Sequence, residues 1–445
     1  MDTPICDFVR SYRQKESVRL HMPGHKGKTL LGFEDYDITE INGADSLYEA
    51  NGIIMRSEKN ASKLFGAETF FSTEGSSLSI RAMIYLACLY SYSKGEKPLI
   101  LAGRNAHKVF TSSAALLDFD VEWVFSKNSS SYISCPITPE ETDEKLSTLK
   151  KKPVAVYITS PDYLGCVSDI KGIADVCHKY GVLLLVDNAH GAYLKFLPES
   201  RHPIDLGADA CCDSAHKTLP VLTGGAYLHI SDSAPDIFKS RAKDALALFG
   251  STSPSYLILQ SLDAANNYIF NGYRQELAEF VADVSDLKNK IVGYGYSLIG
   301  SEELKITVDT KAYGYYGSEF SSLLEEKGLV CEFSDLDFVV LMLTPQLRDK
   351  LKLIEEAFAG IEKKPPIKER APSIAEPQRA MSIKEAYFLE SEVVDAENSC
   401  GRVLATSNVG CPPAIPIVVS GEIISGQAVN CFKYYGIEKC LVISK

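Results

Sequence analysis

Between residues 64 and 230 the sequence switches repeatedly between helical periodicity and short unbroken apolar runs, and this alternation constrains the fold more than any other feature. A helical stretch at 56–65 leads into an apolar run at 68–72, and a second helix begins near Ser76. The series continues with a strand at 98–102, a helix after His107, a strand at 120–125 and a helix near 139–150. Then come a strand at 154–159, a helix near 170–180, a strand at 182–186 and two more short strands, 208–213 and 225–230. Runs such as VLLLV at 182–186 show no polar alternation. Strands of that kind are buried on both faces, which requires a largely parallel sheet covered by helices. The pattern predicts an α/β fold with right-handed crossovers.

At 445 residues the chain is longer than one core usually supports, so several structural units are expected. Residues 1–255 read as an N-terminal segment and a large domain. A long helical pattern over 256–292, interrupted only by Gly272, opens a smaller α+β region that runs to 361. The stretch 362–379, EKKPPIKERAPSIAEPQR, is rich in Pro and charge and reads as a linker. Residues 380–445 form a last piece of strands and turns.

Composition removes several classes of function. The formal net charge is −12 and the pI is near 5.3, without the overall basicity of a chain that coats nucleic acid or anionic lipid. No apolar run approaches the roughly 20 residues of a membrane span, and the first residues are mixed and charged rather than a secretory signal. The 12 cysteines have no framework spacing, with Cys211 and Cys212 adjacent, so reduced thiols in the cytoplasm are expected. No CxxC pair or clustered His/Cys set suggests a metal site.

In open α/β sheets, ligands bind past the carboxyl ends of strands. Those positions carry Glu74-Gly75-Ser76-Ser77, Arg104-Asn105-Ala106-His107, Ser160-Pro161-Asp162, Asp187-Asn188-Ala189-His190-Gly191 and Ser214-Ala215-His216-Lys217-Thr218. Taken singly, each has a plain structural role: Ser76 or Ser77 as a helix cap, Asp187 as a turn cap, His107 and His190 as satisfied histidines. Together they offer a lysine, a carboxylate, a flat side chain and hydroxyls at a helix start, which anions favour. Pyridoxal phosphate needs that combination. Its aldehyde forms a Schiff base with a lysine, and a carboxylate keeps its ring nitrogen protonated so that the ring draws in electrons.

The motifs extend beyond this set. His21-Met22-Pro23-Gly24-His25-Lys26-Gly27 resembles the signature near the start of the bacterial Orn/Lys/Arg decarboxylases. Phe65-Gly66-Ala67, the Arg104–Lys108 run, Asp187–Gly191, Ser214–Thr218, Ser251–Tyr256, Gly401-Arg402, Pro412–Pro416 and Gly421-Glu422 resemble further elements of that family, so the resemblance covers nearly the whole chain. It implies a fold-type-I pyridoxal-phosphate enzyme in a short form without the N-terminal wing domain. It also implies a cytoplasmic lyase that converts arginine, lysine or ornithine to its amine and CO2 in polyamine-related metabolism.

By the same resemblance Lys217 is the Schiff-base lysine, Asp187 the partner of the ring nitrogen, and His107 and Ala189 lie on the two ring faces. Gly75, Ser76, Ser77, Ser214 and His216 hold or flank the phosphate, with His190 nearby, and Lys217 or His216 returns the proton to Cα. Thr252 reaches the cofactor of a neighbouring subunit, which implies a homodimer or a higher even-numbered assembly with shared sites. The sequence departs from the family at Glu74, where asparagine is usual, and at Cys411, Ala414 and Ser420. Asp45 and Glu49 are the carboxylates offered for the substrate's cationic tail. The alternatives are another reaction on the same fold (an aminotransferase, aldolase or desulfurase, the last through Cys411) or a silent homologue that serves as a binding subunit.

Overall fold

The apolar runs fold as strands and the helical periods as helices, with edges mostly within a residue or two of the periodicity. The computed structural model describes residues 1–127, 131–373, 376–407 and 415–444, and the backbone alone at 410–411. Residues 412–414 of the Pro-rich C-terminal motif fall outside the described residues.

The first elements in chain order are α1 (Pro4–Gln14), α2 (Ile53–Phe65), β1 (Glu68–Ser72), α3 (Gly75–Ser93), β2 (Leu99–Gly103), α4 (Lys108–Leu117), β3 (Asp120–Val124) and α5 (Pro139–Thr148). They are followed by β4 (Ala155–Thr159), α6 (Ile170–Lys179), β5 (Leu183–Asp187), β6 (Ala210–Asp213), α7 (Ala215–Thr218), β7 (Ala226–Ile230), α8 (Asp236–Phe249), α9 (Tyr256–Tyr268) and α10 (Arg274–Gly293). The chain divides into two units, one of residues 1–98, 153–157 and 170–277, the other of 99–152, 158–169 and 278–445.

In the first unit the strands run β1-β7-β6-β5, with β4 joined to β5 through Leu183 N–H and Val154 O at 3.1 Å. β5 and β6 are parallel, and β7 runs against both its neighbours, with Ser72 opposite Ala226 and Asp213 opposite Tyr227. The fold is thus α/β with a mostly parallel sheet flanked by helices. α3 is apolar nearly all round and packs with its Leu78, Ile80, Met83, Ile84, Leu86 and Ala87 buried, as a helix without a polar face must.

The helical pattern over 256–292 is not one helix. Asn271 (φ −96°, ψ 40°) and Gly272 (φ 113°) leave helical geometry between α9 and α10. A residue without Cβ adopts that φ at little steric cost, and the helix breaks there.

The second unit contains the parallel pair β2 and β3. It also contains a four-stranded antiparallel sheet in the order Phe333–Ser334, Phe338–Met342, Lys305–Asp309, Ser297–Ile299. Phe333, Phe338 and Val340 of that sheet share one core with Leu404, Ile417, Val418, Phe432 and Val442 from the C-terminal stretch. The Pro-rich segment after 361 is bound along this unit. Tyr315 donates to Glu362 O at 2.7 Å, Lys364 N–H to Tyr313 O at 3.1 Å, Ile367 N–H to Lys311 O at 3.0 Å, and Cys431 Sγ to Pro372 O at 3.1 Å.

Candidate active site

Successive strand ends are tied together along one edge of the first unit's sheet. Gly75 N–H donates to Gly224 O at 2.7 Å, His216 N–H to Gly225 O at 3.1 Å, and Asn188 N–H to Cys212 O at 3.0 Å. Gly75 takes φ +70°, a value glycine reaches without a Cβ penalty, and this turns the chain from β1 into α3. Ser76 and Ser77, both half-buried, therefore occupy the first turn of α3. First-turn N–H groups have no partner within a helix, and with the helix dipole they favour an anion.

Lys217 sits in the single-turn helix α7 just after β6, and its Nζ lies 3.0 Å from Nε2 of the buried His190. The ammonium donates there, so a neutral His190 carries its proton on Nδ1. His216 Nδ1 lies 3.0 Å from Gly225 O. A carbonyl only accepts, so this contact fixes the Nδ1–H form of that ring as well. Ser214, the N-cap residue of α7, and Ala189 are both buried.

Asp187 ends β5 at 3% exposure. Tyr157 OH donates to its Oδ2 at 3.1 Å, and Ala189 N–H and Cys212 Sγ donate to its Oδ1 at 3.3 and 3.7 Å. Burial raises its carboxyl above the ordinary carboxylate range, and the Lys217 charge and these donors oppose that rise. A carboxylate offers about four acceptor lone pairs. Among the described residues three donors reach this one, which leaves room on Oδ2 for one more.

Lys217, Asp187, Ala189, His190, Ser214, His216, Gly75, Ser76 and Ser77 are thus gathered along one sheet edge. His107 belongs to the other unit, where it is the N-cap of α4 and its Nδ1 accepts from Val109 N–H at 3.2 Å. Thr252 is exposed, in a turn that Glu74 holds: the Glu74 carboxylate accepts from Ser251 N–H at 2.6 Å. The N-cap of α9 is Ser255, whose hydroxyl accepts from Ile258 N–H.

The carboxylates offered for a substrate tail fare differently. Asp45 is buried, and its side chain accepts from the N–H groups of Asn51 (3.0 Å), Gly52 (2.7 Å), Ile54 (3.0 Å) and Met55 (3.4 Å) at the start of α2. It serves that helix. Glu49 is exposed. Arg402 donates to Glu392 and to Ile443 O, both at 2.6 Å. In the second unit Arg104, which follows β2, pairs with the buried Glu422 at 3.0 Å and reaches Ile417 O at 3.2 Å, so two motifs far apart in sequence meet.

Sequence reasoning missed Tyr157 and Cys212, which contact Asp187, and the buried set Asp213, His202 and His229. Their signal was faint but present: a tyrosine, a cysteine, an aspartate and a histidine each lie in a strand otherwise apolar enough to be buried. A polar group at such a position must find a partner.

Residues 3–310 match the family model described as "Orn/Lys/Arg decarboxylase, major domain". The chain is 30% identical to protein YaaO of Bacillus subtilis (strain 168), over 97% of this chain and 93% of that one. It is 29% identical to an arginine decarboxylase of Halalkalibacterium halodurans, over 95% and 91%. Among solved structures, lysine decarboxylase A of Pseudomonas aeruginosa superposes with a TM-score of 0.81 at 16% identity, covering 99% of this chain and 80% of that one. The lysine decarboxylase of Francisella novicida gives 0.78 at 15%, with 99% and 81% covered. These two likenesses establish the fold, that of the fold-type-I pyridoxal-phosphate enzymes. The matched family model, with a relative at 30% identity over nearly the whole length, establishes that the chain belongs to the Orn/Lys/Arg decarboxylase family.

Proposed function

We propose that the protein uses pyridoxal phosphate to remove the α-carboxylate of a basic amino acid, arginine first among the candidates. The observation that carries the reading is Asp187, a buried carboxylate held by three donors with acceptor capacity for one more, beside the Lys217–His190 pair. Relatives named arginine decarboxylase, at 27–29% identity over at least 94% of this chain, favour arginine over lysine and ornithine.

The residues present fit the cofactor. Lys217 would supply the amine for covalent attachment, Asp187 would accept from the ring nitrogen, and the first turn of α3 with Ser76, Ser77, Ser214 and His216 would hold the phosphate dianion. The family resemblance would give one ring face to Ala189 and assigns the other to His107, a residue of the second unit. Bound pyridoxal phosphate supplies an electron sink for the pair left at Cα when CO2 departs. Asp187, buried and preorganised, stabilises the positive ring nitrogen that this requires. The reaction takes up one proton at Cα, which Lys217 or His216 delivers. Tyr157, Cys212 and Ala189 N–H keep the Asp187 carboxylate oriented throughout.

The active unit is an even-numbered homo-oligomer in which Thr252 serves the partner's cofactor. Val18, Leu20, Leu30 and Leu31, at 77–90% exposure in the N-terminal segment, are apolar side chains that such an interface would cover. The enzyme acts in the cytoplasm, in polyamine-related metabolism. The free cysteines, all of those described, suit a reducing compartment.

The test is to load purified protein with pyridoxal phosphate and supply arginine, lysine and ornithine in turn, measuring amine and CO2 together. Stoichiometric agmatine and CO2 from arginine is the expected result. A keto acid without CO2 would replace the reading with transamination. Lys217→Ala should abolish turnover and the borohydride-reducible adduct, and an adduct that persists in that variant overturns the assignment of Lys217.

A further inference from the structure

A second cluster of ionisable groups lies wholly buried in the first unit and has no part in the steps above. Asp213, the last residue of β6, stands four positions before Lys217 at 0% exposure. Its Oδ1 accepts from Asn188 Nδ2 at 2.6 Å, and its Oδ2 faces Nε2 of His202 and Nε2 of His229, each at 3.1 Å. Both histidines are fully buried. Thr69 Oγ1 lies 2.9 Å from His229 Nδ1.

The protons can be assigned. An ionised carboxylate only accepts, so both Nε2 atoms carry hydrogen, while the Thr69 hydroxyl stands between Nδ1 of His229 and Ala67 O, 3.1 Å away. Burial pulls His229 toward its neutral form. Burial acts to raise the Asp213 carboxyl, but the two histidines outweigh it and hold the group well below the ordinary range. Cys211 Sγ lies 3.9 Å from His202 Nε2, so His202, Cys211 and Asp213 resemble a metal-ligand set that their spacing in sequence conceals. With both Nε2 atoms protonated, however, the carboxylate is satisfied without an ion.

Asn188 is what this carboxylate holds. It follows Asp187 and precedes Ala189 and His190, and its carbonyl accepts from Gly191 N–H at 2.8 Å. Its side chain fills the space where a Cβ on Gly191 would sit, 2.1 Å from Asn188 Oδ1. The turn at 187–191 is built around the Asn188 amide. Asp213 is the residue from which the chain sets out toward Lys217.

We infer that Asp213 is a positioning residue: held by His202 and His229 and accepting from Asn188, it sets the turn carrying Asp187 and His190 against the segment carrying Lys217. The inference rests on the roles proposed above for Lys217 and Asp187. Displacements of about 1 Å at a reacting centre can cost on the order of a hundredfold in rate, so the fixed spacing matters to turnover rather than to substrate capture.

The test compares full-length Asn188→Ala, Asp213→Ala and the double variant, each cofactor-loaded and cofactor-free. Each single change should lower kcat per bound cofactor by about tenfold or more and leave KM for the best of arginine, lysine and ornithine within about twofold. The double variant should be no worse than the weaker single, because two groups that act through one contact are not additive. In the cofactor-free protein, amide exchange at 187–191 should rise in both singles. A purely structural role would lower stability and leave kcat per bound cofactor unchanged. Wild-type kcat and exchange in Asn188→Ala, or additive losses in the double variant, overturn the inference. So does one equivalent of tightly bound metal that is lost in Asp213→Ala. Should Asp213→Ala not fold, Asn188→Ala decides alone. If the wild type binds no cofactor the proposed function fails, while exchange in the cofactor-free protein still judges Asp213.

Discussion

Replacing Asp45 by alanine separates a residue that builds the protein from one that recognises substrate. The Asp45 carboxylate receives four backbone N–H groups, those of Asn51, Gly52, Ile54 and Met55, at 2.7–3.4 Å. Three of these contacts are at 3.0 Å or less, and no side chain caps α2 at Gly52. Loss of an N-cap acceptor costs about 1 kcal/mol, and loss of negative charge at the helix start adds about 0.3–1 kcal/mol. Hydrogen bonds to a charged group are worth about 1.5–3 kcal/mol, and the orphaned donors recover only part of this from water. Asp45→Ala should therefore destabilise the first unit by roughly 2–4 kcal/mol, and Asp45→Asn, which keeps one acceptor, by about half as much. Urea unfolding of the cofactor-free protein, followed by far-UV circular dichroism, measures the first quantity. Steady-state kinetics under stabilising conditions measures KM, which should stay within about twofold of wild type. An Asp45→Ala protein of wild-type stability whose KM rises tenfold or more would refute the capping argument and restore Asp45 to the substrate's tail.

Asp187→Ala should still take up cofactor through the separate phosphate contacts but turn over roughly 10²–10³ times more slowly, since a preorganised charge is worth several kcal/mol; near-normal turnover would move the ring-nitrogen role elsewhere. Asp162, in the second unit, is pushed up to about 6 by burial, partly opposed by Ser134, Cys166 N–H and Lys305. Between about pH 4 and 6 the folded protein therefore binds more protons than the unfolded chain, so stability falls as pH rises through that window, by about 3 kcal/mol in full above it. Asp162→Asn should remove that slope and unfold at higher urea than wild type at pH 7.5, while matching it near pH 4; Asp335, also held at about 6, acts alike in both proteins. Co-refolding a Lys217→Ala chain with a chain altered at Ser251 and Thr252 should restore activity in mixed dimers, and mixed dimers that form yet stay inactive would exclude a shared site.

The architecture was legible because its information is local. VLLLV and its counterparts mark both-face burial by themselves, so β1 to β7 stand where the apolar runs lie. Strand direction is not written in such a run: nothing in AYLHI distinguishes β7, antiparallel to its neighbours, from β5. Gly272 was visible as the one interruption in a helical pattern, but its φ of 113° depends on the packing at that point. In the site, Lys217, Asp187 and the 75–77 turn were found because they follow strands. Asp45 could be offered for the substrate's tail because a lone carboxylate in a loop looks alike whether it meets a substrate or four amides. Tyr157, Cys212 and Asp213 remained hidden because their partners lie 11 to 30 residues away, and pairing at that distance is set by strand order rather than by periodicity.

The ion pair between Arg104 and Glu422 bears on how such a chain can be lengthened or trimmed in evolution. Arg104 is 12% exposed and Glu422 5%, and the stretch that supplies Glu422 also supplies Leu404, Val418 and Phe432 to the core of the antiparallel sheet. A chain cut at 379 would leave a largely shielded cation without its counter-ion and a bare apolar face on Phe333 and Val340. Removing one partner of such a pair costs about 3–5 kcal/mol before the lost burial is counted. The last sixty or so residues are therefore not cargo that gene fusion could add or shed freely. Any lineage that loses them must first replace Arg104 and resurface the sheet they cover.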